Sequence, residues 1–212
     1  METFKDGIIK ISVRNLVEFV LKSGDIDNRT VSGADKDAMQ EGARLHKKIQ
    51  GKMGGNYHAE VPLRMEFPYT DFSIIVEGRA DGIIDGDDGK SALIEEIKCV
   101  YTDLFFIEEP RFVHKAQAMC YGYMYGVQNE LEKINIQMTY ANLDTEEIKR
   151  FNEEYTIKTL PNGLTECLNF ITSGHSISMT TGILCALQQK NWNFPMSTGQ
   201  VSEMWRYLFT RQ

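Results

Sequence analysis

"FSIIVEGRADGIIDGDDGKSALIEEIKCV", residues 72–100, decides how this chain folds. Two apolar, β-branched runs flank Asp87-Asp88-Gly89-Lys90, and an Asp-Gly pair between such runs is a strong hairpin signal. The second run holds a puzzle. Its middle carries Glu95, Glu96 and Lys98, and lone charges in a buried strand are costly unless paired or bound to a metal. Centred between Asp88 and Gly89, the turn sets Asp81 directly across from Glu96. Opposed Cβ atoms lie roughly 4.5–5.5 Å apart, where two carboxylates repel. A divalent cation between them removes the conflict, and Mg²⁺ or Mn²⁺, both oxygen-seeking, suits the place. Lys98 is two residues beyond Glu96 and shares its face. Glu95 points the other way and reads as a solvated or salt-bridged residue.

Two carboxylates beside an ammonium suit phosphodiester hydrolysis. A cation there binds a phosphate oxygen and acidifies water, while Lys98 orients the water or meets the growing negative charge. The rival reading is a surface ion-pair patch. Two helices offer to complete the site. Residues 32–55 read as a helix with Ser32 or Asp35 as cap and a stop at Gly51 or Gly54-Gly55. On it Gly42 and His46 share a face, the glycine letting His46 approach the sheet as a third ligand. Glu41 sits about 140° away on the helical wheel and is the poorer candidate. A later helix, after Pro110, places His114, Gln117 and Tyr121 on one side. These residues can hydrogen-bond a phosphate, a base or an active-site carboxylate, or simply pack on the sheet.

Around this centre the chain reads as an α/β core on a mixed sheet. Residues 8–12 form a short strand, Ser12 caps a helix bearing Leu16, Val17, Val20 and Leu21, and Gly24 ends it. Residues 57–68 are extended but interrupted by Pro62. Ile134, Ile136, Met138 and Tyr140 alternate with Asn135, Gln137 and Thr139, the period of a half-buried strand. "TEEIKRFNEEY" resumes helix, with Thr145 as its cap. From Pro161 onward the periodicity weakens into a C-terminal helical segment.

The 212 residues suffice for one sizeable core plus an appendage. A net charge of −7 argues against a protein whose main task is coating nucleic acid, but acidic groups can serve a metal. Arg44, Lys47, Lys48 and Lys52 form a local basic patch able to meet phosphates; the alternative is a solvated helix face. Cys99, Cys120, Cys167 and Cys185 are scattered, which suits isolated thiols in a reducing compartment. No apolar run approaches the roughly 20 residues of a bilayer span, and the first residues lack a signal-peptide core, so a cytoplasmic protein without a membrane partner is expected. "GKS" at Gly89–Ser91 lacks the glycine a phosphate-binding loop needs at position 84, which is Ile84.

Four pieces in order, "GARLH" with His46, "EGRADGIID" with Asp81, "IEEIK" with Glu96 and Lys98, and "QAMCY" with Gln117 and Tyr121, resemble the PD-(D/E)XK nucleases of the RecB-like exonuclease branch. "ISVRNLVEFVLKSGDIDNR", "YHAEVPL" and "IQMTYANLDTEEIKRF" are similar to the N-terminal nuclease domain of bacterial helicases of the DinG-like superfamily 2 type. The tail "NFPMSTGQVSEMWRYLF" looks like a degenerate form of the segment leading into that helicase, with Thr198 where an arginine is expected.

The resemblance implies a restriction-endonuclease-like core over residues 1–160, a central mixed sheet flanked by helices, with residues 161–212 as a helical linker toward an absent helicase. It implies Mg²⁺ or Mn²⁺ on His46, Asp81, Glu96 and the Ile97 carbonyl, Lys98 as catalytic lysine, and Gln117 and Tyr121 beside the DNA. No iron–sulphur cluster is expected, because the late cysteine trio of the subgroup that carries one is missing. The implied activity is metal-dependent DNA hydrolysis, in the manner of an exonuclease on ends or single strands in repair or recombination. The alternative is a catalytically weak or partner-dependent DNA-binding module of a helicase–nuclease system.

Overall fold

A computed structural model of the chain describes residues 7–21, 35–69, 72–158 and 160. β1 (Ile8–Ser12) leads into α1 (Val13–Leu21), and α2 (Asp35–Gln50) precedes β2 (Tyr57–Pro68), β3 (Ser73–Asp85) and β4 (Ser91–Val100). A single 3-10 turn at Leu104–Phe106, then α3 (Phe112–Gln128), β5 (Lys133–Asn142) and β6 (Ile148–Thr156), complete the order. The ladder runs β1-β3-β4-β5-β6, and β2 also pairs with β3. β1 with β3 and β4 with β5 are parallel, whereas β3 with β4 and β5 with β6 are antiparallel. The fold is therefore α/β, a mixed sheet flanked by helices, with the restriction-endonuclease-like architecture.

The described residues fall into two compact units. The first holds residues 7–21, 64–69, 72–78, 158 and 160. In it β1 pairs along Ser73–Glu77 of β3, and the Ser12 hydroxyl accepts the Asn15 amide at 3.1 Å, the helix cap expected from sequence. Val13, Leu16 and Val17 of α1 are buried.

The second unit, residues 35–63 and 79–157, contains every candidate site residue. Its hairpin has the register the turn chemistry demands: Gly82 faces Glu95 and Asp85 faces Ala92. The Gly86 amide bonds the Ser91 carbonyl at 2.8 Å, and the Asp88 carboxylate accepts the Lys90 and Ser91 amides. Gly89 takes φ +63, a left-handed conformation that a side chain would penalise. Leu45 and Ile49, one turn apart on α2, bury against Ile97, Ala141 and Leu143, each such side chain contributing about 1.5–3 kcal/mol. α3 covers the other face. A Cβ on Gly122 would come within 2.9 Å of Ile134 Cγ2, so this glycine permits the close approach.

Three expectations need correction. "TEEIKRFNEEY" is strand β6, not a helix capped by Thr145. Phe151 and Tyr155, four apart, mimic a helical face, yet they also share strand parity, and the free edge of β5 recruits the segment through nine ladder pairs. The turn before it is built by the Asn142 carbonyl oxygen of the side chain, which accepts the Asp144 and Thr145 amides. β2 continues through Pro62 instead of breaking there. β5 is buried on both faces rather than half-buried, Gln137 and Thr139 included, because α3 packs on one face and Leu45 and Ile49 of α2 on the other. The expected helix stop at Gly24, the Ser32 cap, Cys167, Cys185 and the segment 161–212 lie outside the described residues. Cys99 and Cys120 are free thiols. No helix among the described residues is long and apolar enough to cross a membrane.

Candidate metal centre

The β3–β4 ladder ends at Gly82↔Glu95, and the two strands part beyond it. Asp81 fills the fork. Its Oδ2 accepts the Ile97 amide at 2.7 Å, a donor that the ladder has stopped using. His46 reaches the same oxygen from α2, Nε2 to Oδ2 3.1 Å. That hydrogen bond is the main cause raising the imidazole above its ordinary pKa, with burial opposing it. Gln50, one turn further on α2, donates to the Asp81 carbonyl at 2.8 Å. An added methyl on Gly42 would meet Cys99 Cβ at an ordinary 3.8 Å, so the approach of His46 does not depend on glycine there.

β4 divides its charges between its faces. Glu96 and Lys98 look toward α3. Lys98 Nζ donates to Glu96 Oε1 at 2.6 Å and to Gln117 Oε1 at 3.3 Å, and Gln117 in turn reaches the Tyr121 hydroxyl at 3.5 Å. Glu96 is 1% exposed, and its Oε2 has no hydrogen-bond partner. Burial first, then the neighbouring Asp81, push its carboxyl up to about 7, against the opposing pull of Lys98. Tyr121 is buried, its phenol pushed up to about 12 by burial and then by Glu96, so it supports the interior of the site. His114 bonds the Tyr140 hydroxyl at 2.9 Å, which directs it into packing between α3 and β5.

Of the two alternatives that the sequence left for Glu95, solvated or salt-bridged, the structure excludes the first and supplies the second. Glu95 is completely buried, and its oxygens accept Tyr57 Oη at 2.8 Å, Gln137 Nε2 at 2.8 Å and Thr139 Oγ1 at 2.6 Å, with Arg150 Nε 3.7 Å away. Its face of β4 is covered, so polar side chains of β2 and β5 meet the carboxyl in place of water.

A cluster fit for a cation comprises His46, Glu60 and Asp81, with one ligand atom from each within 4.8 Å of the others. Glu60 of β2 is the member that sequence reading missed. It takes φ +56, its Oε1 lies 3.7 Å from His46 Nδ1, and it holds Gln50 and Arg79 at 3.0 and 2.9 Å. Nothing in the local spacing of "YHAEVPL" announces this, because β2 comes to the site through tertiary pairing. Gln50 and Arg79 were more legible: one is a helical turn from His46, the other shares strand parity with Asp81. The orphaned Oε2 of Glu96 adds a buried acceptor within electrostatic reach of Asp81 and His46. Imidazole and carboxylate donors with one acceptor unsatisfied fit a divalent cation such as Mg²⁺ or Mn²⁺.

A cleft of about 550 Å³ opens beside this cluster, lined by His46, Lys47, Gln50, Glu60, Arg79 and Cys99. Of the basic patch, Lys47 borders the cleft. Arg44 pairs with Glu41 and Glu146 at 2.6 Å each, and Lys48 also pairs with Glu146. Lys52 lies in the exposed turn after α2.

No family model matches the chain, and no curated relative matches it. Solved structures do. One, described as SSO0001, is 22% identical with a TM-score of 0.50, over 82% of this chain and 80% of that one. Another is an alkaline exonuclease from Laribacter hongkongensis, 14% identical with a TM-score of 0.42, over 93% and 92% of the two chains. At 22% identity the likeness to SSO0001 speaks for the fold. What the chain offers is an α/β fold of restriction-endonuclease-like architecture with a candidate metal centre in it.

Proposed function

We propose that this chain hydrolyses DNA phosphodiesters with Mg²⁺ or Mn²⁺, acting as an exonuclease on ends or single strands in repair or recombination. The observation that carries the reading is the buried, unpartnered Glu96 Oε2 beside Asp81, His46 and Lys98. A buried acceptor without a donor is costly, and a cation accounts for it. His46, Asp81, Glu96 and the Ile97 carbonyl would hold the ion, with Glu60 in reach. When bound, the cation supplies positive charge against the scissile phosphate and lowers the pKa of water.

The chain's own residues supply the rest. The Ile97 amide fixes the rotamer of Asp81. Glu96 and Gln117 hold Lys98 Nζ, whose remaining proton can meet the attacking water or a phosphate oxygen. Tyr121 supports Gln117 from the interior. Lys47 at the cleft, with Arg44, Lys48 and Lys52 along α2 and its end, provides the path for the DNA backbone. The expected products carry 5′ phosphates.

A second reading has its own support. Arg44 and Lys48 are already neutralised by Glu41 and Glu146, which favours a module that grips DNA weakly and depends on a partner such as a helicase. A cleavage assay separates the two. Labelled linear and closed circular DNA, single- and double-stranded, is incubated with Mg²⁺, Mn²⁺ or EDTA and with Lys98→Ala beside the wild type. Metal-dependent loss of linear DNA that vanishes in the variant is expected. Circle cutting would make it an endonuclease, and no cleavage in any metal would sink the stand-alone enzyme.

A further inference from the structure

The first carboxylate of "IEEIK", Glu95, has no part in the mechanism above, yet it is the more elaborately held. Glu95 lies across the sheet from Gly82, with Gln137 on its other side in the parallel ladder. Its Oε1 accepts Gln137 and Thr139, and its Oε2 accepts the Tyr57 hydroxyl. The two oxygens thus serve different neighbours. The Oε1 side ties β4 to β5. The Oε2 side leads back to the site, because the Tyr57 hydroxyl also lies 3.3 Å from the Asp81 carbonyl.

The Tyr57 ring occupies the space where Gly82 has no side chain. A Cβ built on Gly82 would fall 1.9 Å from the phenol oxygen and 2.1 Å from Cζ. The ring therefore lies directly on the peptide that follows Asp81. Burial first, and then the field of Glu95, hold the Tyr57 phenol far above its ordinary pKa, so it remains a donor. Gln50 grips the same Asp81 carbonyl from α2.

We propose that Glu95 is a positioning residue: it locks the Tyr57 ring against Gly82, and the locked ring seats Asp81 so that its carboxylate meets both Ile97 and His46. The consequence for metal binding rests on the nuclease reading; the seating of Asp81 does not. Glu95 touches no reacting atom and acts through Tyr57 alone. The adjacent glutamates of β4 then divide the work, Glu96 as ligand and Glu95 as the support of the opposite ligand.

The Ile97 amide reports the seating directly, since its acceptor is Asp81 Oδ2. Amide hydrogen exchange is measured by NMR on the metal-free protein in EDTA for the wild type, Tyr57→Phe and Thr139→Val. Both variants remove one donor to Glu95, but only Tyr57 lies on the Asp81 side. In Tyr57→Phe, Ile97 exchange is expected to rise about tenfold relative to Ile136 on β5, and Mn²⁺ affinity to fall by a similar factor. Thr139→Val should lower the melting temperature and leave the Ile97-to-Ile136 ratio at the wild-type value. Gly82→Ala, which must evict the ring, should behave as Tyr57→Phe does. An unchanged Ile97 ratio in Tyr57→Phe, or an equal rise in both variants, overturns the proposal. A wild type that binds no Mn²⁺ sinks the nuclease reading alone, because the exchange ratio still decides the role of Glu95.

Discussion

The two faces of β4 treat adjacent glutamates in opposite ways. Toward β2 and the polar row of β5, Glu95 is fully buried and meets three donors and a nearby guanidinium. Toward α3, Glu96 is equally buried but meets one lysine, and one oxygen meets nothing. Identical residues at the same depth thus differ only in what faces them. A satisfied buried carboxylate specifies the packing around it, whereas an unsatisfied one keeps an uncompensated desolvation cost. The difference appears in the Glu96 carboxyl, which burial and the neighbouring Asp81 raise to about 7.

The largest effect that can break this comparison is on activity. Glu96→Gln should lower metal-dependent cleavage about 100- to 1000-fold, as loss of a charge-stabilising group does elsewhere. Initial rates on end-labelled DNA measure it; retention of more than a tenth of the wild-type rate would remove Glu96 from the ligand set. Glu95→Leu tests the other face. It leaves buried donors on Tyr57, Gln137 and Thr139 without their acceptor and should cost about 3–5 kcal/mol in urea unfolding. A loss below 1 kcal/mol would mean that the row is not a closed network.

The pH dependence of the metal-free protein sharpens the contrast. A Glu96 carboxyl raised to about 7 in the folded state, against 4.5 ordinarily, binds its proton more tightly folded than unfolded. Its contribution is therefore complete below pH 4.5 and is lost as pH rises through 7. Unfolding in EDTA should show a decline on the order of 1–3 kcal/mol across that window. The decline should shrink in Glu96→Gln, where the raised His46 imidazole still contributes, and be offset by Mn²⁺ in the wild type. An equal decline in Glu96→Gln would assign it to another group.

The smallest effect lies on the surface. Lys48 and then Arg44 hold Glu146 down to about 2. Its contribution is present above pH 4.5 and fades as pH falls through 2, and screening should shrink it because the groups are exposed. Glu146→Gln should barely change the melting temperature, yet strengthen DNA binding at low salt by freeing Lys48 and relieving Arg44 of one of its two carboxylates. Unchanged binding by fluorescence anisotropy would take Arg44 and Lys48 out of the DNA path.

Much of the second unit was legible because its signals are local. The Asp-Gly turn sets a register by chemistry confined to a few residues, and strand period two then orients Asp81, Glu96 and Lys98. His46, Gln117 and Tyr121 follow from helical period in the same way. Missed features depend on neighbours distant in sequence. β6 carries a pattern compatible with either period, and the open edge of β5 selected the strand. Glu60 joins His46 and Asp81 through strand pairing that no spacing encodes. The pairing of Glu146 with α2 spans about a hundred residues.

The sequence by itself determined the hairpin, its register, the helices that flank it and the charged residues it aligns, because turn chemistry and side-chain period act over a few neighbouring positions. Only the tertiary structure decided which glutamate of "IEEIK" is satisfied and which is left open. Burial and partners are properties of the packed sheet, and two adjacent residues of one strand face opposite layers built from distant parts of the chain.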